Sequence, residues 1–243
     1  MTSLIYPDWP QPDNIGACST LRTGGVSLPP YDSLNLGAHV GDDALLVEQN
    51  RRIICQQAQL PEMPLWLTQV HGIEVVNLDN QDNHTVEGDA LYTSSANKVC
   101  AIMTADCLPV LFSTIDGTEV GAAHGGWRGL CQGVLQQTLT QFKASNEKIM
   151  AWLGPAIGPN AFEVGAEVRL AFVEKNIAFD SAFISHNGKY LANIYMLARI
   201  ILQESGVNQI YGGDFCTVSD KSRFFSYRRE HTTGRMASLI WIK

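Results

Sequence analysis

Between Thr104 and Leu130 the chain reads TADCLPVLFSTIDGTEVGAAHGGWRGL, and this stretch constrains the fold and the chemistry most. It holds two apolar, strand-like runs, 108–114 and 119–124. Cys107 stands at the mouth of the first, and His124 closes the second. His124 runs straight into Gly125 and Gly126, which open an amphipathic helix. His71, in WLTQVHG, likewise ends an apolar run and precedes a glycine. Two imidazoles and a thiol at strand ends supply three soft ligands for a transition metal. Three protein ligands with a vacant fourth position make a catalytic arrangement rather than a structural one. The stretch therefore predicts a metal-dependent enzyme.

Each of these residues also has an ordinary explanation. A histidine at a strand end commonly makes structural hydrogen bonds, and a lone buried cysteine is usually inert. Context favours the ligand reading. Val120, Ala122 and His124 fall on one face of a strand, with Gly121 and Ala123 on the other. These small neighbours leave room around the imidazole. Cys107 follows Asp106 at a strand–loop junction, where a polar cleft is expected. His84, His186 and His231 lie in polar, turn-like segments and are expected in solvent. His39, in GAHVGD, reads as a loop residue making hydrogen bonds.

With 243 residues, 45% of them hydrophobic, the chain has ample material for a core. A net charge of −7 argues against a nucleic-acid partner bound through bulk electrostatics. The opening MTSLIYPDWPQPDN shows neither the basic nor the apolar region of a secretory signal. No apolar stretch approaches the ~20 residues of a membrane span. The six cysteines show no CxxC pair or regular spacing and read as reduced thiols. A cytoplasmic protein without a membrane partner is expected.

Residues 22–37 are rich in Gly, Pro, Asn and Asp and predict an extended, turn-filled loop. Asp42 or Asp43 can cap a helix running to about Leu60, with Leu46, Val47, Ile53 and Ile54 on its apolar side and Pro61 as its stop. Strands are expected at 65–70, 74–78, 99–104, 108–114 and 119–124. A helix over 127–142 carries Leu130, Val134, Leu135, Leu139 and Phe142 at helical spacing. A short strand at 151–153 ends at the punctuation of GPAIGPN. Helices follow at 166–174 and 191–204, the second closed by Gly206. Late strands are expected at 209–212, 224–227 and 237–242. Strands and helices mix without strict alternation, which favours an α+β fold with mixed sheets. No composition shift marks a boundary, so residues 1–243 are expected to form a single domain.

The HGGWRG element suggests an anion site. A strand passing through Gly125 and Gly126 into a helix N-terminus exposes backbone N–H groups, and Arg128 adds a charge. A tight turn and nothing more is the plainer alternative. Near the other end, FFSYRREHTTGRMAS gathers Tyr227, Arg228, Arg229 and Arg235, either as a solvated edge or as groups reaching a substrate.

Together STLRTGGVS, YDSLNLG, LTQVHG, GDALYT, TADCLPVLF, HGGWRG, GPAIGPNAFEVG and FFSYRREHTTGRMAS resemble the bacterial YfiH family. This is also called the laccase-domain or polyphenol-oxidase-like family, and it includes the peptidoglycan editing factor. The resemblance runs from about residue 4 to the C-terminal end. Gly125 departs from the alanine common in the family, and glycine suits the same turn. The resemblance implies a four-layer α/β/β/α fold with mixed β-sheets and a zinc ion (Zn2+) held by His71, Cys107 and His124. It implies phosphorolysis of adenosine, inosine and methylthioadenosine to the base and ribose 1-phosphate, with adenosine deamination as a side activity. Older and parallel labels are a copper-dependent phenol oxidase and a hydrolase of serine-containing peptidoglycan precursors, which would bring a UDP-linked partner.

Six histidines are too few for a type 1 copper site plus a trinuclear cluster. The His2Cys set with nearby Met103 has blue-copper character, and copper (Cu2+) binds such ligands more tightly than zinc. An electron-transfer role leaves the phosphate-friendly turn unexplained, so zinc is preferred. Arg22, Arg128, Tyr227 and Arg228, with Gly125 and Gly126, are expected to contact nucleoside or phosphate. Asp106 and Asp89 are expected to support the ligands or move protons. Two rivals use the same residues: a metal-free hydrolase with Cys107 as nucleophile and His124 or His71 as base, and a binding module in which zinc is only a clip.

Overall fold

A computed structural model describes residues 4–80 and 87–243. In chain order the elements begin β1 (Leu4–Ile5), β2 (Ile15–Thr20), α1 (Ala44–Gln57), β3 (Val75–Asn77), β4 (Ala90–Thr93), β5 (Val99–Thr104), β6 (Leu108–Thr114) and β7 (Val120–Gly125). They continue α2 (Trp127–Gln132), α3 (Val134–Leu139), β8 (Ile149–Leu153), β9 (Glu163–Val164), α4 (Ala166–Val173), β10 (Phe183–His186) and β11 (Lys189–Ala192). The last are α5 (Ile194–Glu204), β12 (Gln209–Gly212), α6 (Tyr227–Glu230) and β13 (Met236–Ile242).

Two large sheets stack face to face. One is antiparallel throughout, in the order β1-β2-β13-β5. The other runs β12-β8-β6-β7-β4-β3, with parallel pairs at both ends and antiparallel pairs between. A small antiparallel sheet, β10-β11-β9, stands apart.

The two-residue period of a strand decides what each side chain meets. From the first sheet Ile15, Ala17, Cys100, Ile102, Ile240 and Ile242 point into the space between the sheets. There they meet Leu91, Leu111, Val120, Ala122, Met150 and Trp152 of the second. The alternate residues Cys18, Val99, Ala101, Leu239 and Trp241 face outward and are covered by Ile54 of α1. On the far side Val110, Phe112, Ala123 and Leu153 are covered by Leu135, Leu139, Leu197 and Ile201 of α3 and α5. The result is the expected α/β/β/α layering. Strands covered on both faces read as unbroken apolar runs, as β5, β6 and β7 do.

Local chemistry explains the departures. The helix expected over 127–142 is two, because Gly133 turns into the left-handed region at φ 109° between α2 and α3. The helix expected from Leu191 starts at Ile194, where the Asn193 side chain accepts from Met196 N–H; residues 189–192 are strand. Residues 224–227 are not a strand. Phe224 and Phe225 are buried, and Ser226 accepts from Arg229 N–H to start α6. Residues 65–70 carry only an isolated bridge between Thr68 and Glu87. The short strands β1, β9, β10 and β11 carry no periodic signal of their own.

Candidate metal centre

The β6–β7 hairpin brings the first two ligands together. Its register sets Leu108 opposite Gly125 and Pro109 opposite His124, so Cys107 lies diagonally across from His124 on the same face. Val120 and Ala122 place that face toward the space between the sheets, and His124 continues it. His71 arrives on a loop, in the left-handed region at φ 62°. Its Nε2 lies 3.8 Å from Cys107 Sγ. One donor atom from each of His71, Cys107 and His124 falls within 4.8 Å of the others. Among the described residues no other trio of His, Cys, Asp or Glu converges in this way.

Asp89 organises the trio. It precedes β4, whose pairing with β7 places it beside His124. The fully buried carboxylate accepts from His124 Nδ1 at 2.7 Å and from the N–H groups of Val70, His71 and Gly72 at 3.1, 2.9 and 2.7 Å. A single side chain thus fixes the His124 ring, leaving Nε2 for the centre, and shapes the loop that presents His71. Gln69 adds a second clamp, exchanging two 2.8 Å hydrogen bonds with the backbone N–H and C=O of Met103.

Titration follows from this packing. Burial opposes ionisation of Cys107, but the two imidazoles outweigh it and bring the thiol down to about 6. Burial also disfavours charge on His124, yet the Cys107 thiolate and Asp89 raise it to about 9. Burial likewise resists charge on Asp89, and the His124 and backbone hydrogen bonds hold its carboxyl below the usual range. The pair thus favours its charged forms, the thiol drawn toward thiolate and the His124 ring toward imidazolium. Two imidazoles and a thiolate suit zinc or copper, so the donor set fits the metal that the sequence implies.

The trio lies in a cleft of about 590 Å3. Trp127, Ile157, Phe162 and Ile194 supply apolar lining, and Arg128, Arg228, Arg235, Tyr227 and His39 supply polar and cationic groups. The arginines differ in their commitments. Arg228 donates to the carbonyls of Glu163 and Ala161, at 3.0 and 3.5 Å, and lies over the Phe162 ring. Arg235 donates to the Thr233 and Gly234 carbonyls. Arg128 is exposed, rests on Trp127, and has no hydrogen-bond acceptor among the described residues.

Asp106 lines the cleft, but its carboxylate is occupied by Thr217 Oγ1 at 2.6 Å, Ser226 Oγ at 3.1 Å and Arg228 N–H at 2.6 Å. It ties the 217–228 segment to the ligand-bearing turn. Gly126 is also more than a turn residue. A Cβ there would lie 2.8 Å from His71 Cδ2 and 3.4 Å from Cys107 Sγ, so the space it leaves belongs to the ligands. A Cβ at Gly125 would meet the Leu108 carbonyl at 2.9 Å. The helix that follows, α2, is only six residues long.

Arg22 does not line the cleft. It is paired with Glu230 at 3.2 Å, stacks on Phe225, and borders a separate surface hollow with Asp32 and Lys221. Arg229 is likewise turned inward, donating to the carbonyls of Thr217, Val218 and Phe224. His186 and His231 are exposed, as expected, and His84 lies outside the described residues. His39 and Gln69 join the cleft without a sequence signal of their own, beyond Gln69 standing two residues before His71. His39 has no hydrogen-bond partner among the described residues, contrary to expectation.

Residues 16–243 match the family described as multi-copper polyphenol oxidoreductase laccase. The chain is 57% identical to "Purine nucleoside phosphorylase YfiH" of Escherichia coli (strain K12), covering 100% of both chains. It is 51% identical to "Purine nucleoside phosphorylase" of Haemophilus influenzae, over 98% of this chain and 99% of that one. A crystal structure of a Neisseria meningitidis protein superposes with a TM-score of 0.96 at 48% identity, covering 99% of each chain. That of the hypothetical protein YfiH from Bacillus licheniformis gives 0.90 at 29%, covering 100% of this chain and 97% of that one. Such relatives make the chain an enzyme. By sequence along its whole length and by fold, it belongs to the laccase-like YfiH family.

Proposed function

We propose that the chain is a zinc-dependent purine nucleoside phosphorylase. It converts adenosine, inosine and methylthioadenosine to the base and ribose 1-phosphate, with adenosine deamination as a side activity. The observation that carries this reading is the His71–Cys107–His124 donor set beside a cleft with an apolar lining and arginines. The names of the relatives supply the reaction class.

In this reading His71, Cys107 and His124 hold the metal, and Asp89 holds two of them in place. Bound there, zinc supplies Lewis acidity for polarising an oxygen or activating water. Arg128, the guanidinium without an acceptor among the described residues, takes phosphate, and a planar fork suits that anion. Phe162 and Trp127 offer faces for a purine, with Arg228 and Tyr227 at its edges. Asp106 positions Arg228 through its backbone. Arg22 braces the fold instead of contacting substrate. Copper can occupy the same donors, but the phosphorylase reading needs no redox change. The partners are thus a nucleoside and phosphate, with no nucleic acid and no membrane. Among the described residues no helix is long and apolar enough to cross a bilayer.

A second reading has its own observation. Cys107, His124 and Asp89 form a thiolate–imidazole–carboxylate series, the arrangement of a cysteine hydrolase. Such an enzyme could edit serine-containing, UDP-linked peptidoglycan precursors.

Turnover of adenosine and inosine by zinc-quantified protein, with and without phosphate, separates the two. Phosphate-dependent release of free base, lost in Cys107→Ala and on chelation, supports the phosphorylase. Loss on alkylation but not on chelation, with no phosphate dependence, moves the assignment to the hydrolase.

A further inference from the structure

Phosphorolysis moves a proton as well as a ribosyl group. An oxygen of dihydrogen phosphate bonds to C1′ while the C1′–N9 bond breaks, and its electron pair leaves with the purine. The proton of the attacking hydroxyl must finish on the base. Charge and atoms then balance, with ribose 1-phosphate carrying the single negative charge.

Few groups in the cleft are free to carry that proton. His71, His124 and Cys107 form the donor set. Asp106 is occupied by three protein donors. The guanidinium groups of Arg128, Arg228 and Arg235 do not release protons. Tyr227 and His39 remain. We propose that His39 carries the proton from phosphate to the departing purine, an inference that rests on the phosphorylase reading.

The fold pins the chain on either side of the exposed His39. Asn35 and Asn50 are fully buried, and Asn50 Nδ2 donates to Ser27 Oγ and to the Asn35 carbonyl. Asn35 Nδ2 and Ser27 Oγ both donate to Asp42 Oδ2, at 2.9 and 2.6 Å. From outside the loop, Arg51 grips the Leu36 carbonyl, and Arg235 N–H donates to Asn35 Oδ1. Satisfied buried polar networks of this kind select one backbone conformation. They bracket His39, yet its ring bonds to no described residue.

The charged groups acting on the ring are Arg235, before β13, and Arg51, on α1. Burial foremost, then these two cations, keeps its pKa below the usual imidazole value.

The test compares inosine with 7-methylinosine in the zinc-loaded wild type, His39→Gln and Tyr227→Phe. The 7-methylated base departs neutral with no proton added. His39→Gln should lower kcat on inosine by about 100-fold or more and leave 7-methylinosine within about threefold of wild type. Its zinc content and melting temperature should match wild type, because the His39 ring bonds to no described residue. Equal losses on both substrates, or a split appearing in Tyr227→Phe and not in His39→Gln, would overturn the proposal. Wild-type protein that releases no base from either substrate with phosphate would overturn the phosphorylase reading, and this proposal with it.

Discussion

Replacing Asp89 by Asn keeps the volume and removes the charge, so it tests whether one carboxylate builds the centre. Oδ1 accepts from His71 N–H and His124 Nδ1, and Oδ2 from Val70 N–H and Gly72 N–H. An asparagine has one acceptor oxygen, so two N–H donors must meet its amino group. With the oxygen toward His124, the N–H groups of Val70 and Gly72 lose their partner. An unsatisfied donor costs about 1–3 kcal/mol, and the half-exposed loop allows some water in, so about 2–3 kcal/mol in total is expected. With the amide flipped, the His124 ring loses its anchor and tautomer. Loss of such a supporting group weakens metal binding by about 10–100-fold, or about 1.4–2.7 kcal/mol. Urea unfolding of the metal-free proteins reads the first quantity, and zinc competition with a chromophoric chelator reads the second. The folded Asp89 carboxyl is depressed, so its contribution is full above the ordinary aspartate range. It is lost as pH falls through the folded value. An Asn variant binding zinc within about threefold of wild type would refute the reasoning.

Three further outcomes are expected. In metal-free protein, alkylation of Cys107 by iodoacetamide should rise with a midpoint near pH 6 and be blocked by zinc; a midpoint above about 8, the range of an ordinary thiol, would show that the imidazoles do not act on it. Gly126→Ala drives a methyl group against His71, so zinc affinity should fall by about tenfold while the melting temperature moves by only a few degrees. Unchanged affinity would mean that the His71 loop yields freely. Asp106→Asn sets an amino group against one or two of its three donors, depending on the amide orientation, and should cost about 1–3 kcal/mol in urea unfolding; a loss below about 0.5 kcal/mol would leave Asp106 without its bracing role.

The convergence of His71, Cys107 and His124 was legible because each ends an apolar run or stands at the start of one, and strand ends converge once strands pair. The α/β/β/α layering was legible from the YfiH resemblance, while the residues themselves pointed only to α+β. What escaped was decided by contacts remote in sequence. Arg22 and Arg128 look alike as letters; only the fold sets Glu230 against Arg22 and leaves Arg128 without an acceptor among the described residues. His39 reads as a turn residue until Asn50 and Arg235 bring its loop to the cleft. Nor can the sequence show that His71 and Cys107 lie against the space at Gly126. At 224–227 the apolar pattern implied a strand, but a serine hydroxyl capping Arg229 N–H prevailed.

The position of β13 bears on when its sheet can assemble during synthesis. It lies between β2 and β5, so these strands, made early, stay unjoined until residues 236–242 have been translated. The strand just before Cys107 and the loop bearing His39 both lean on this late insertion. A nascent chain released before Met236 would hold His71, Cys107 and His124 and still lack the strand that joins β2 to β5. Assembly of the β1-β2-β13-β5 sheet is thereby a late event, set by the emergence of residues 236–242.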